Sequence, residues 1–319
     1  MTASRTLIGG AVNRCHSACL LCILGIIVFT GCVSNPPTGV TAIHNLQFGL
    51  GIGHPLLLDI YRPALIRKKL PVIIWIHGGA WNSGSKNNCP IAFLAAYQVA
   101  IVSMDYRLTS EAPFPAQLND CKSVVQWIRA NAQSYDLNPN RIGAFGASAG
   151  GHLALLLATT SHHPDLEGEA GDNGRFSSSI SCACALYPPT DLNELVSNPE
   201  ERRDPFGDVA RLIGGAVQTH IIAANNASPL FYVSSNTAPI FLIHGENDKL
   251  VPPFQSLIFY KKLGECGVPA HLELIPNKGH GLIPPANVVR EVLEFFTDYL
   301  GVNFGSGLEE DKGQGNANR

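Results

Sequence analysis

The sequence predicts an α/β fold: a doubly wound, mostly parallel sheet with helices on both faces and a small cap insertion. Three observations carry that prediction. Apolar strand-like runs alternate with segments of helical periodicity between residues 56 and 300. Most of the strand runs are continuously apolar, as strands buried on both faces must be. A turn of small residues around one serine joins such a strand to an apolar helix at Ile142-Gly143-Ala144-Phe145-Gly146-Ala147-Ser148-Ala149-Gly150-Gly151-His152-Leu153.

Taken in order, residues 1–31 read as a targeting segment rather than as part of the fold. Arg5 and Arg14 carry its only formal charges, and an apolar run at 18–30 ends in Gly31-Cys32. That run fits the apolar region of a secretory signal and is short of the ~20 residues that span a bilayer. The ending Phe29-Thr30-Gly31-Cys32 resembles a bacterial lipobox, although Leu is usual where Phe29 stands. It makes Cys32 the lipidation candidate and places the protein in the cell envelope, with a membrane as a partner through the lipid anchor. An ordinary cleaved signal, which would give a secreted protein, and an uncleaved anchor are the alternatives. Residues 32–50, with Asn35-Pro36-Pro37-Thr38-Gly39, read as a tether.

The catalytic domain is expected over 51–301. Runs at 56–62, 72–77, 100–104, 141–145, 180–186, 240–243 and 271–275 read as strands. Helices are expected at 91–98, 117–132, 254–263 and 288–300. Residues 193–226 break the alternation and read as the cap. The segment 302–319, rich in Gly, Asn and charge, reads as a disordered tail.

Composition narrows the class further. The 319 residues are 45% hydrophobic and 15% charged, enough for one large domain with a buried core. A net charge of −3 with no basic run gives no electrostatic support for nucleic-acid binding. Of the nine cysteines, Cys15, Cys19 and Cys22 lie in the leader, Cys32 is the lipidation candidate, and Cys182 and Cys184 alternate in an apolar strand where small buried thiols fit.

A serine hydroxyl is a weak nucleophile at neutral pH and needs a base that a third group orients. Ligands of a doubly wound sheet lie beyond the carboxyl ends of its strands, so the partners are expected just after later strands. Two segments qualify: Ile240-Phe241-Leu242-Ile243-His244-Gly245-Glu246-Asn247-Asp248, and Asn277-Lys278-Gly279-His280-Gly281. The order Ser148, Asp248, His280 is the order of one serine-hydrolase architecture and differs from those of the others. Glu246 is read as a loop-surface residue. Asp191 is the runner-up acid, with a helix N-cap as its other role. His152, one turn beyond the serine, reads as a packed helix residue, and His162-His163 as a surface loop rather than a metal site. The Ala149 amide and the strand-exit segment His77-Gly78-Gly79-Ala80-Trp81 are the expected source of oxyanion donors. Trp81 is expected to line the substrate pocket or to support that loop. No metal or organic cofactor is called for.

Together with Asp105-Tyr106-Arg107-Leu108, these motifs resemble the α/β-hydrolase esterases. They are most similar to the bacterial feruloyl esterase/acetyl xylan esterase-like group, near the hormone-sensitive-lipase-like enzymes. The resemblance runs from about residue 57 to 300. It implies an α/β-hydrolase fold with Ser148 as nucleophile, Asp248 as acid, His280 as base, and the amides of Gly79, Ala80 and Ala149 as the oxyanion hole. Ala80 stands where the His-Gly-Gly-Gly form has its third glycine, and its N–H is retained. Asp105, Tyr106 and Arg107 are expected to brace the site. The expected activity is hydrolysis of short-chain or carbohydrate-linked esters. The His-Gly-Gly-x-Trp loop also resembles kynurenine formamidases, which leaves arylformamide hydrolysis as the chemical alternative; a non-catalytic surface lipoprotein on a hydrolase scaffold is the alternative from another class.

Overall fold

The computed structural model describes residues 36–167, 171, 173–197 and 207–304. The leader with Cys32, and most of the expected tail, lie outside the described residues. Among those described, no helix is long and apolar enough to cross a membrane.

Eight strands form one sheet: β1 (Val40–Leu50), β2 (Pro55–Pro63), β3 (Leu70–Ile76), β4 (Ala100–Met104), β5 (Leu137–Ala147), β6 (Cys182–Leu186), β7 (Ile240–Gly245) and β8 (Ala270–Ile275). Their spatial order is β1-β2-β4-β3-β5-β6-β7-β8. β1 pairs antiparallel with β2, and β2 with β4, while every pair from β4-β3 through β7-β8 is parallel. The chain moves from β3 outward to β4, then returns to the other side of β3 as β5. The crevice between the ends of β3 and β5 is therefore the switch point, where doubly wound sheets hold their ligands.

The helices are α1 (Ala116–Asn131), α2 (Ala149–Thr159), α3 (Leu192–Ser197), α4 (Asp208–Ile213), α5 (Ile221–Asn226), α6 (Phe254–Glu265) and α7 (Ala286–Leu300). Successive side chains of a strand point to opposite faces. Val72, Ile74 and Ile76 of β3 accordingly join the core under α1 and α2, while Ile73 and Trp75 join the core under α7. Every residue of α2 is buried, which explains why its sequence AGGHLALLLAT shows no polar face. The expected helix at 91–98 is a 3-10 helix, Ala92–Tyr97. The cap is built of α3, α4, α5 and short 3-10 turns.

Two expected boundaries are corrected. Residues 40–50, assigned to the tether, form β1 at the sheet edge, where an interrupted register conceals the strand. Asn45 adopts φ 60°, and the register shifts between Ile43 and Leu46 and again between Gln47 and Gly49. The domain also runs past residue 301, because Val302 is buried against the α7 side of the core and Phe304 packs on it. Cys89, Cys121, Cys182, Cys184 and Cys266 are free thiols, and Cys182 and Cys184 are buried as their alternation implied.

Candidate active site

Steric necessity builds the nucleophile elbow. Ser148 lies between β5 and α2 with φ 55° and ψ −120°, a conformation that a non-glycine residue adopts only when its surroundings impose it. The Ser148 amide donates to Leu186 O of β6 at 2.9 Å, and Ser148 O accepts from the His152 amide at 2.9 Å. A Cβ at Gly146 would lie 2.2 Å from Gly150 O, and one at Gly150 would lie 2.0 Å from Ile76 O. The two glycines that flank the serine are thus the residues that let β5, α2 and β3 meet.

The loops after β7 and β8 deliver the other two groups and are zipped together by backbone bonds, Glu246 N to Ile275 O and Asn247 N to Lys278 O. Gly245 permits this approach, since a Cβ there would meet Lys278 O at 2.4 Å. His280 Nε2 lies 3.0 Å from Ser148 Oγ, and His280 Nδ1 lies 2.8 Å from Asp248 Oδ2. With Nδ1–H donating to the carboxylate, the Nε2 lone pair faces the serine hydroxyl. Asp248 Oδ1 accepts from the Leu250 and Val251 amides, each at 2.9 Å. Burial alone would raise the Asp248 carboxyl. Hydrogen bonds from His244, His280 and the Val251 amide outweigh it and hold the group well below the usual carboxylate range.

The segment after β3 crosses the end of β5 so closely that a Cβ on Gly78 would lie 2.9 Å from Ala147 O. Gly79, Ala80 and Trp81 all adopt positive φ, at 113°, 53° and 58°. Gly79 O accepts from the Asn82 and Ser83 amides, both at 3.0 Å, which closes the loop on itself. The amides of Gly79, Ala80 and Ala149 have no hydrogen-bond partner among the described residues. The Ala149 amide also sits in the first turn of α2, where the helix dipole favours negative charge. This set of groups can do acyl-transfer chemistry: a hydroxyl beside a base, a base held by a carboxylate, and unengaged donors near the same strand ends.

Around this centre the expected braces are present. Tyr106 donates its hydroxyl to His77 O at 3.1 Å and stacks on the His77 ring with centroids 4.3 Å apart. Asp105 accepts from the Lys86 amide, and Arg107 grips buried Asp120 with both Nε and Nη2. Asp191 accepts from the Glu194 amide at 3.0 Å, the helix-capping role, and Glu246 is exposed. Of the two roles expected of Trp81 the structure favours loop support over pocket lining: it is 3% exposed, packed in the core, with its indole N–H directed at His152 Nδ1. His162 is exposed and the His163 ring packs edge-on against Tyr232.

Sequence reasoning missed His244 and Ser256. Buried His244 donates from Nε2 to Val251 O at 2.8 Å and accepts from Ser256 Oγ at Nδ1, 2.7 Å, so it props the turn that presents Asp248. A histidine ending a continuously apolar strand was the available signal, because its ring must be buried and therefore partnered. Tyr187, edge-on to His280 at 4.6 Å, was also missed. Among the described residues, His271, Glu273 and Glu291 could together hold a metal ion by geometry. They lie on β8 and α7 as a partly exposed ion-pair cluster and include no member of the Ser148 site.

Burial holds His77 and His152 neutral, pushing both rings down to about 4 from the ordinary 6.5. The unfolded chain binds these protons below about pH 6.5, whereas the native chain binds them only near pH 4. Stability is therefore full above the unfolded value and falls as pH drops through this window, by about 3 kcal/mol for each ring. Denaturant titrations at pH 7.5 and pH 4 test this with His152→Asn, which cannot titrate. The variant is expected to be less stable than wild type at pH 7.5, with a deficit that shrinks by about 3 kcal/mol at pH 4. An unchanged deficit contradicts the assignment.

An eight-stranded sheet of this order, a serine on a strained β5–α2 turn, and an acid and a histidine in the loops after β7 and β8 define an α/β-hydrolase. The sequence profile of the BD-FAE family matches residues 58–263, and the chain belongs to that family. Carboxylesterase NlhH of Mycobacterium tuberculosis is 37% identical over 260 residues, covering 76% of this chain and 77% of that protein. Esterase LipQ of the same organism is 33% identical over 281 residues, covering 84% of this chain; the chain spans only 64% of LipQ's length. Among solved structures, a truncated carbohydrate esterase from gut microbiota matches with a TM-score of 0.71 at 27% identity, covering 82% of this chain and 96% of that one.

Proposed function

We propose that this chain is an envelope-anchored serine carboxylesterase acting on short-chain or carbohydrate-linked esters. The observation that carries the proposal is the continuous relay Ser148 Oγ to His280 Nε2 and His280 Nδ1 to Asp248 Oδ2, with hydrogen-bond steps of 3.0 Å and 2.8 Å. Ser148 Oγ attacks the ester carbonyl while His280 Nε2 takes its proton, and Asp248 stabilises the imidazolium that forms. The amides of Gly79, Ala80 and Ala149, which have no partner among the described residues, receive the oxyanion. Collapse of the tetrahedral intermediate breaks the bond to the alcohol oxygen, which takes the proton from His280. Water, deprotonated by the same ring, then releases the acid from Ser148.

Kinship with NlhH and LipQ, named a carboxylesterase and an esterase, supports ester bonds as the target. The carbohydrate-esterase neighbour supports a sugar on the alcohol side. The leader that ends in Gly31-Cys32 supports lipidation of Cys32 and work at a membrane surface outside the cytoplasm. A panel of nitrophenyl esters from acetate to decanoate, methyl ferulate and acetylated xylan tests the reading. Acetyl esters are expected to be turned over at least about tenfold faster than decanoate. Inactivity on every ester, with Ser148→Ala indistinguishable from wild type, refutes it. Cys32→Ala is expected to move the protein from the membrane to the soluble fraction, and retention at the membrane refutes the anchor.

A further inference from the structure

We propose that His152 is a positioning residue that ties the oxyanion loop to the nucleophile helix through Trp81. The proposal rests on the esterase reading and deepens it, by naming what holds the oxyanion donors in place. Trp81 Nε1–H donates to His152 Nδ1 at 3.2 Å, with the two rings edge-on at 80° and centroids 5.1 Å apart. His152 Nε2–H in turn donates to Ala227 O at 2.7 Å. Ala227 follows α5 directly, at the point where the cap returns to the sheet, and it is fully buried like His152. The two bonds assign the tautomer, since Nδ1 must accept and Nε2 must donate. Burial keeps the ring neutral, so that Nδ1 stays available as an acceptor.

The loop needs such a tie. Ala80 and Trp81 are consecutive non-glycine residues in the left-handed region, which persists only where surrounding contacts over-determine it. Two further bonds secure the same stretch: Thr109 N donates to Trp81 O at 2.9 Å, and Asn82 Nδ2 donates to Asp208 Oδ1 at the start of α4. The oxyanion loop is thus fixed to the start of α4 within the cap and, through His152, to the first turn of the nucleophile helix α2. Removing the Nδ1 acceptor leaves the indole N–H buried without a partner. The loop then relaxes toward ordinary φ and carries the Ala80 amide away from the developing oxyanion.

Two amide-bearing replacements separate this role from simple packing. In His152→Asn the side-chain Oδ1 falls where the ring's Nδ1 stands, and accepts from Trp81. In His152→Gln the side-chain Nε2 falls where the ring's Nε2 stands, and donates to Ala227 but offers Trp81 nothing. With full-chain protein and nitrophenyl acetate, His152→Gln and Trp81→Phe are each expected to lower kcat about 10- to 100-fold with KM unchanged within about twofold, part of the loss for a missing oxyanion donor. His152→Asn is expected to stay within about threefold of wild-type kcat. The double variant Trp81→Phe/His152→Gln should be no worse than Trp81→Phe alone by more than about threefold, because both changes break one link. Nuclear magnetic resonance of the three indole N–H groups gives a readout independent of turnover. The Trp81 resonance should move upfield in His152→Gln and hold in His152→Asn. Equal losses of kcat in the Asn and Gln variants, retention of kcat by Gln, or a Trp81 resonance that is the same in both overturns the proposal. Inactive wild-type protein would overturn the esterase reading instead, and the indole resonance would still decide whether His152 holds Trp81.

Discussion

Ser148→Ala is expected to lower kcat for nitrophenyl acetate by about 10⁶, leaving only the residual catalysis that binding and oxyanion donors supply. The hydroxyl is the sole atom lost, and the turn that presents it is set by Gly146, Gly150 and the Ser148 backbone, all unchanged. Thermal unfolding should consequently stay within a few degrees of wild type, since only the bond to His280 Nε2 disappears. Steady-state kinetics with a Ser148→Ala preparation free of wild-type protein checks this. A loss below about 10²-fold would mean that another group performs the attack.

Asp248→Asn carries the second-largest effect, about 10⁴ in kcat, through the histidine tautomer. Asp248 Oδ1 accepts two backbone amides, from Leu250 and Val251, so in the variant the carbonyl oxygen of the asparagine must take that position. Its NH₂ group is then directed at His280 Nδ1, where the carboxylate oxygen stood at 2.8 Å. Faced with a donor, Nδ1 becomes the acceptor and the ring proton moves to Nε2. The hydrogen that then points at Ser148 Oγ prevents the ring from taking the serine proton. Asp191→Asn is the control, because Asp191 caps α3 through Glu194 N, and its loss should stay within about threefold. Equal losses in the two variants would reassign the acid.

These residues were legible in the sequence because their surroundings leave no choice of residue type. Gly146, Gly150 and Gly245 each sit where a Cβ would come within 2.4 Å of a backbone carbonyl, so the glycines around the serine and before the acid reported real geometry. Strands β3, β4, β6 and β7 were legible because burial on both faces leaves them almost wholly apolar. β1 was not, since its bulges and the left-handed Asn45 break the alternation that betrays an edge strand. Trp81 and His152 are 71 positions apart, and His152 and Ala227 are 75 apart. No periodicity records such a contact, and for that reason the role of Trp81 stayed open between pocket and loop support, and His152 read as packing. The pair His244–Ser256 escaped for the same reason, each residue's polarity being satisfied by a partner in another element.

The most direct measurement is mass spectrometry of the peptide that carries Ser148 after brief reaction of full-chain protein with a fluorophosphonate. A single phosphonyl adduct on Ser148, formed at one equivalent and absent from Ser148→Ala, is the predicted result. An adduct on a different residue, or no adduct under conditions where the protein hydrolyses nitrophenyl acetate, would contradict Ser148 as the nucleophile.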